Sequence, residues 1–315
     1  MRFIFSGIFL FFSICIFSQQ KFSKEFNFVN DNDLYISTSK DQYYTNGMFF
    51  TYRTLASHSG KLYKKIHEIQ VGHEIYTPYR ANVTNIARHD RPFAAYFYGK
   101  FGIIRAYKTN TLLKTSIQLG ILGEDAFGEE LQDFIHSIYN FRSSNGWDYQ
   151  IRNTLALNFD AEYIKALGTD KSTHYDINFV SKFRFGTIFN EVTVGFLGRL
   201  GLKELQPISN SIAFNTHLNN EKTSWTRGVE SFFYYKPTLT YVAYDATIQG
   251  SLFNNNSPIT YNPKAVRFDL ELGYKSTLNR WSFGYAFHFH SNKLSNLRND
   301  NGNYYGQLFF SYLFN

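Results

Sequence analysis

Residues 153–167 read Asn-Thr-Leu-Ala-Leu-Asn-Phe-Asp-Ala-Glu-Tyr-Ile-Lys-Ala-Leu. Leu155, Leu157, Phe159 and Ala161 fall on one face of an extended chain, and Asn158, Asp160 and Glu162 on the other. Successive strand side chains point to opposite sides, so this alternation specifies a β-strand with one apolar and one polar face. Its length suits a tilted strand crossing a bilayer, whose lipid face is apolar and whose inner face is polar.

The same rhythm recurs in both directions. Toward the N-terminus it runs through Thr111–Leu122, Phe93–Tyr107, Ile66–Tyr76 and Met48–Leu55, back to Phe26–Phe28 leading into Asn32-Asp33. Toward the C-terminus it continues through Tyr175–Ile188, Val192–Leu202, Ser231–Gly250, Val266–Lys275, Trp281–Ser291 and Tyr304–Phe314. That makes twelve strands, the even number a closed bacterial barrel requires. Turn signals part them at Ser57-His58-Ser59-Gly60, Lys108-Thr109-Asn110, Gly168-Thr169-Asp170 and Asn254-Asn255-Asn256. The chain closes on Phe309-Phe310-Ser311-Tyr312-Leu313-Phe314, an alternating aromatic strand similar to the assembly signal of outer-membrane barrels, although Asn315 is terminal. The expected fold is an all-β, 12-stranded antiparallel transmembrane β-barrel with a short helix in an outer loop.

Composition agrees. Aromatics make up 19% of residues, with 34 Phe and 24 Tyr against 6 Pro. Mean hydropathy is only −0.32, so the apolar residues are distributed along strands rather than pooled in spanning helices. Residues 1–18 read as a signal peptide: Met1-Arg2, an apolar run from Phe3 to Phe17, then Ser18-Gln19-Gln20. The run is short of the ~20 residues of a membrane helix. The barrel is then 19–315, with no second domain or repeat. Cys15, the one cysteine, lies in that leader, flanked by Phe12 and Ile16 rather than by a lipidation pattern. Disulfides, thiol nucleophiles and thiolate metal sites are thereby excluded from the barrel. A net charge of +7 and pI near 9.2 fit an anionic glycolipid surface, or only solvated loops; dispersed basic residues do not suggest nucleic acid.

If the first strand starts in the periplasm, the connections at 34–44, 77–92 and 123–150 share the outer rim. Asn32, Asp33, Thr45, Arg80, Arg91, Gln132 and His136 then converge there from distant parts of the chain. Gln206–Ser224, polar and without strand rhythm, falls on the opposite side, where short turns are expected. Within the third outer connection, Glu129–Tyr139 carries Leu131, Ile135 and Ile138 at helical spacing. Gln132 and His136 are one helical turn apart, on one face.

A histidine activates water near neutral pH. Asn32 and Asp33 supply hard oxygens for Ca2+, which would polarise an ester carbonyl. Thr45 and Gln132 offer hydrogen bonds to the water, base or ester. The acidic run Glu124, Asp125, Glu129, Glu130 reads equally as a Ca2+ site or as a solvated helix start. No G-x-S-x-G elbow occurs, so a serine nucleophile has less support.

These segments together resemble the outer-membrane lipid A 3′-O-deacylase family. The resemblance rests on Asn32-Asp33, on Asp41-Gln42-Tyr43-Tyr44-Thr45-Asn46-Gly47, and on the run from Leu119 to Gln132-Asp-Phe-Ile-His136, with Trp147 and Gln150 beyond. It is in register from Asn32 to about Asn153. The resemblance implies a 12-stranded barrel that removes the 3′ acyl or acyloxyacyl chain of lipid A. It implies His136 as general base, Asn32 and Asp33 near a catalytic Ca2+, Thr45 as a site hydroxyl and Gln132 as a site amide. The Asn-Asp pair also occurs at Asn30-Asp31; the second copy is preferred for its tighter spacing to Tyr44–Gly47. Some members carry an acidic residue after the histidine, where this chain has Tyr139-Asn140-Phe141-Arg142. Arg80 and Arg91 are placed to pair with lipid A phosphates, or are ordinary rim charges. The protein is expected to be a monomer in the bacterial outer membrane, with lipopolysaccharide as partner. The alternatives are an outer-membrane phospholipase and a non-enzymatic pore or adhesin.

Overall fold

The computed structural model describes residues 21–36, 42–79, 85–139, 145–167, 173–223, 229–299 and 301–315. The leader 1–18 and Arg80 lie outside the described residues, as do the turn at Gly168-Thr169-Asp170 and Asn140-Phe141-Arg142.

Twelve antiparallel strands form a closed barrel. They are β1 (Lys24–Asn32), β2 (Tyr43–Ala56), β3 (Leu62–Thr77), β4 (Ala94–Tyr107), β5 (Thr111–Leu122) and β6 (Thr154–Leu167). The second half is β7 (Tyr175–Gly186), β8 (Phe189–Gly201), β9 (Ser231–Asp245), β10 (Val266–Leu278), β11 (Trp281–His290) and β12 (Asn303–Phe314). Each pairs with its chain neighbours, and β1 pairs with β12 from Lys24↔Phe314 to Asn32↔Gly306, so no sheet edge is left. In a bilayer, where water cannot satisfy backbone groups, such closure is what makes strands stable.

The alternation in β6 sorts as its sequence dictates. Leu155, Leu157 and Phe159 point outward, 72%, 49% and 42% exposed. Asn158 and Asp160 point into the lumen, where Asp160 accepts from Gln118 Nε2 at 2.7 Å and pairs with Arg184. Other buried ions are also paired: Arg53 bridges Glu25 at 3.0 Å and Glu68 at 2.6 Å, and Lys114 meets Glu162 at 2.9 Å. Unpaired, each would carry a desolvation cost of several kcal/mol.

Two stretches depart from the sequence reading. Ser231–Gly250 is not one strand: β9 stops at Asp245, whose carboxylate caps a helical turn at Ala246–Gln249 by accepting from Thr247 N at 3.0 Å. Tyr44-Thr45-Asn46-Gly47, ahead of the expected strand Met48–Leu55, is part of β2, with a bulge that falls at Thr45.

The segment Gln206–Thr223, which fitted a short turn poorly, folds back into the barrel. Ile208 and Phe214 pack on Ala106, Leu112, Ile164, Val180 and Leu197, while Leu218 packs on Phe22, Ile66, Ile104 and Leu313. Lys64 Nζ, buried, donates to Ser209 O, Asn210 Oδ1 and Thr216 O at 2.9, 2.7 and 2.6 Å. Its length therefore makes an internal plug rather than an exposed loop. The described parts of the connections β1–β2, β3–β4, β5–β6, β9–β10 and β11–β12 gather at the other end of the barrel.

Candidate functional site

One of these connections crosses to the outside of the wall. Along β3, Ile69 and Val71 point outward, and Ile75 continues the same face. Yet Ile75 is fully buried, because it packs with Phe93, Ala95, Ala126 and Trp147 beneath the β5–β6 connection. That connection begins with a sharp turn. Gly123 has φ +118°, where a Cβ would fall 2.7 Å from Asn153 N. His73 Nε2 contacts Ala126 O at 2.6 Å and pins the turn to the wall.

The helix α1 (Gly128–Tyr139) follows. Gly128 lets it approach closely: a Cβ there would lie 2.4 Å from Ala95 Cβ and 2.5 Å from the Trp147 ring. Its 3.6-residue period turns Leu131, Gln132, Ile135 and His136 toward the wall. Phe134 and Ile138 face away, 62% and 61% exposed.

Across from α1, β1 and β2 contribute the other side. Asn32 ends β1 opposite Asn46 of β2, and Thr45 occupies the bulge. Between the two sides lies a small cleft, about 300 Å³ including its mouth. Asn32, Asp33, Thr45, Gln132 and His136 all line it, together with Asn46 and the apolar Leu34, Ile75 and Ile135. The structure thus brings five residues singled out from sequence into one place. All five are buried: Asn32, Asp33, Thr45, Gln132 and His136 are each 7% exposed or less.

Hydrogen bonds hold these groups. Asn32 Oδ1 accepts from Leu34 N at 2.7 Å, ending the strand in a short 3-10 turn. Asp33 Oδ2 accepts from Gln42 N at 2.8 Å. Thr45 Oγ1 lies 2.6 Å from Thr77 Oγ1. Trp147 Nε1 donates to Gln132 Oε1 at 2.8 Å. Of the two Asn-Asp pairs, only Asn32-Asp33 lines the cleft. Asp31 turns into the lumen and accepts from Tyr44 OH at 2.9 Å and Gln307 Nε2 at 2.8 Å.

Arg91 is elsewhere. It is 3% exposed, with its guanidinium donating to Pro92 O, Tyr43 O and Thr247 O at 3.1, 3.0 and 3.2 Å. Its charge ties loops together and does not face the outer surface. The acidic run is dispersed too. Glu124 pairs with Arg152, and Asp125 accepts from Asn153 Nδ2 at 2.8 Å. Partial burial, with the nearby carboxylates of Asp133, Asp148 and Glu130, raises the Glu129 pKa.

Among the described residues, no group of three or more His, Cys, Asp and Glu is placed to hold a metal ion. A cation in the cleft would need amide and backbone oxygens as well. Such oxygens are present: Asn46 Oδ1 is buried with no hydrogen-bond partner among the described residues, beside the Asp33 carboxylate and Asn32. An all-oxygen set with one carboxylate suits a hard cation such as Ca2+. Asn46, Thr77 and the Trp147 contact were missed as site features by sequence reasoning. Asn46 and Trp147 lay inside the resembling segments, whereas Thr77 carried no signal beyond opening the second outer connection, and the structure makes it the last residue of β3.

Comparison with known proteins places the fold. Among solved structures, LpxR from Salmonella typhimurium superposes with a TM-score of 0.74 at 17% identity, over 92% of this chain and all of that one. The β domain of the Bordetella autotransporter BrkA gives 0.47 at 8% identity, over 94% and 99%. Curated protein sequences contain no match. The family model "Outer membrane protein LpxR" matches residues 4–314. The chain therefore belongs to the LpxR outer-membrane protein family, and its barrel is an outer-membrane barrel.

Proposed function

We propose that this protein hydrolyses the 3′-linked acyl or acyloxyacyl ester of lipid A within the outer membrane. Family membership supports the coarser statement, an outer-membrane protein that modifies lipid A. The observation that carries the finer one is the cleft itself: a histidine and an amide of α1 facing two Asn and a Thr from β1 and β2 and an Asp from the turn after β1.

In this reading His136 takes a proton from water as the water attacks the ester carbonyl, and returns it to the leaving alkoxide. Thr45, held by Thr77, orients the water or the imidazole. Gln132 supports the ester. Asn32, Asp33 and Asn46 would hold Ca2+, which when bound supplies Lewis-acid stabilisation of the developing oxyanion. Because the cleft lies between α1 and the outer face of the wall, and the far side of α1 exposes the apolar Phe134 and Ile138, a lipid-borne ester reaches it sideways. Lipopolysaccharide is then both substrate and surrounding, and a monomer suffices.

The test is to express wild type and His136→Ala in the outer membrane of a host with known lipid A and compare lipid A masses. The expected result is loss of one acyl or acyloxyacyl mass with wild type only. Unchanged lipid A with a folded barrel and Ca2+ present would reject the reading. Phospholipid turnover in its place would favour a phospholipase.

A further inference from the structure

We infer that the barrel lumen carries a second site, for a small oxyanion, seated on Lys275 between the plug and the wall. It lies on the inner side of the strands, apart from the cleft under α1. A cavity of about 220 Å³ opens there, bounded by Ala213 and Phe214 of the plug and by side chains of the wall. That is far more than the ~10–15 Å³ that admits one water.

The charges lining this cavity do not balance. Lys114, Lys236 and Lys275 face it, against Glu162 and Glu271. Both carboxylates are taken. Glu162 pairs with Lys114 at 2.9 Å, and Glu271 accepts from Tyr234 OH at 2.7 Å and meets Lys236 at 3.6 Å. Lys275 is left over. Among the described residues its Nζ has no carboxylate within ion-pair distance and no hydrogen-bond acceptor. Its neighbours are the rings of Phe309 and Tyr234, with centroids 4.5 and 5.6 Å from Nζ. Aromatic faces attract a cation but bring no counter-charge. The other lumenal cations described above are better served: Arg53 lies between Glu25 and Glu68, and Lys64 donates to three oxygens.

An ammonium held away from bulk water without a counter-ion is costly, and here Lys114 and Lys236 add like-charge repulsion. An oxyanion at Lys275 removes both penalties. It accepts from the unpaired ammonium, and it draws on spare N–H groups of the other two, since each ammonium has three donors. Those donors come from β5, β9 and β10, whereas Ile164, Val180 and Leu197 make the rest of the wall apolar. Glu162 and Glu271 repel a ligand of high charge, so the class that fits is small and carries one or two negative charges. Phosphate and short carboxylates share that chemistry. Because Ala213 and Phe214 close the cavity, the bound anion also secures the plug.

The test uses the full-length protein folded in detergent in a chloride buffer without Ca2+, with inorganic phosphate or acetate added at constant ionic strength. Titration calorimetry should show one phosphate per barrel, and the melting temperature should climb with phosphate, as a ligand of the folded state requires. Lys275→Met keeps the stem between the two rings and removes the charge. It should weaken phosphate binding about tenfold or more, the scale of a lost hydrogen bond to a charged group. Lys275→Arg should retain most of the affinity. Backbone amides of 211–216 should exchange more slowly with phosphate bound, a readout that needs no variant to fold. A response to acetate as well supports the site as one for oxyanions in general, and a response to phosphate alone supports it as a tetrahedral-anion site. No heat and no melting shift in wild type, an equal shift in Lys275→Met, or unchanged exchange at 211–216 would each overturn the inference. None of these readouts involves lipid A, so the site stands or falls apart from the hydrolase reading.

Discussion

Asn32 stands directly across the β1–β2 ladder from Asn46, and both side chains reach the cleft on the outside of the barrel wall. One of the pair is engaged locally, its Oδ1 capping Leu34 N. The other, Asn46, keeps a buried carbonyl oxygen without a partner among the described residues. Asn46→Ala is therefore expected to weaken Ca2+ binding by about tenfold or more, the scale at which even outer-shell partners act on a metal. Calorimetric melting with increasing Ca2+ reads this directly. On the proposed Ca2+ site, wild type is expected to melt at a higher temperature as Ca2+ is added, and the variant should need correspondingly more Ca2+ for the same rise.

The hydroxyls of Thr45 and Thr77 share one hydrogen bond at 2.6 Å, both buried. Thr77→Val would leave the Thr45 hydroxyl without it, a cost of about 1–3 kcal/mol for a buried polar group. Lipid A turnover should fall, while migration of the unheated barrel on a gel stays that of wild type. Restored turnover in Thr77→Ser would show that the hydroxyl, not the volume, is responsible.

Gly128→Ala tests how close α1 must lie to the wall. The added methyl would meet the Ala95 side chain and the Trp147 ring within 2.4 and 2.5 Å. Overpacking of this kind costs typically ~1–3 kcal/mol. Because α1 rides outside a barrel held by twelve ladders, the helix should shift before the barrel melts. Activity should drop and protease cleavage within 123–153 should speed up, with barrel melting unchanged.

The plug predicts electrical silence. Wild-type protein in a planar bilayer should show no steady ionic current, since Ile208, Ile212, Phe214 and Leu218 are buried inside the barrel. Replacing residues 206–219 with a short Gly-Ser turn should produce a current. Lys64→Met, which leaves three neutral acceptors without their shared donor, should destabilise the barrel, by about 1–3 kcal/mol for each acceptor that stays buried and unsatisfied, without opening it.

The barrel was legible in the sequence because side-chain alternation is a local property: Leu155, Leu157 and Phe159 announce their face wherever the strand sits. Helix α1 was legible for the same reason. The convergence of Asn32, Asp33, Thr45, Gln132 and His136 followed from strand parity alone. What stayed hidden depends on contacts far apart in the chain. Gln206–Thr223 has no period, because a plug side chain answers to the wall around it and not to its neighbours in sequence. Arg91 resembles a rim charge until Tyr43 O and Thr247 O, from β2 and the β9–β10 connection, close around it. Thr45 falls ahead of the expected strand Met48–Leu55, and only pairing with β3 reveals a bulge within β2.

The plug also bears on how such a barrel is finished. Asn219 exchanges hydrogen bonds with Phe22 just ahead of β1, at 2.8 and 2.9 Å, and Leu218 packs against Phe22 and against Leu313 of β12. It therefore straddles the seam where the first and last strands meet. A barrel closed with its interior empty would lack these contacts, so the stowed segment serves as a clasp across the first and last strands as well as a filling for the lumen.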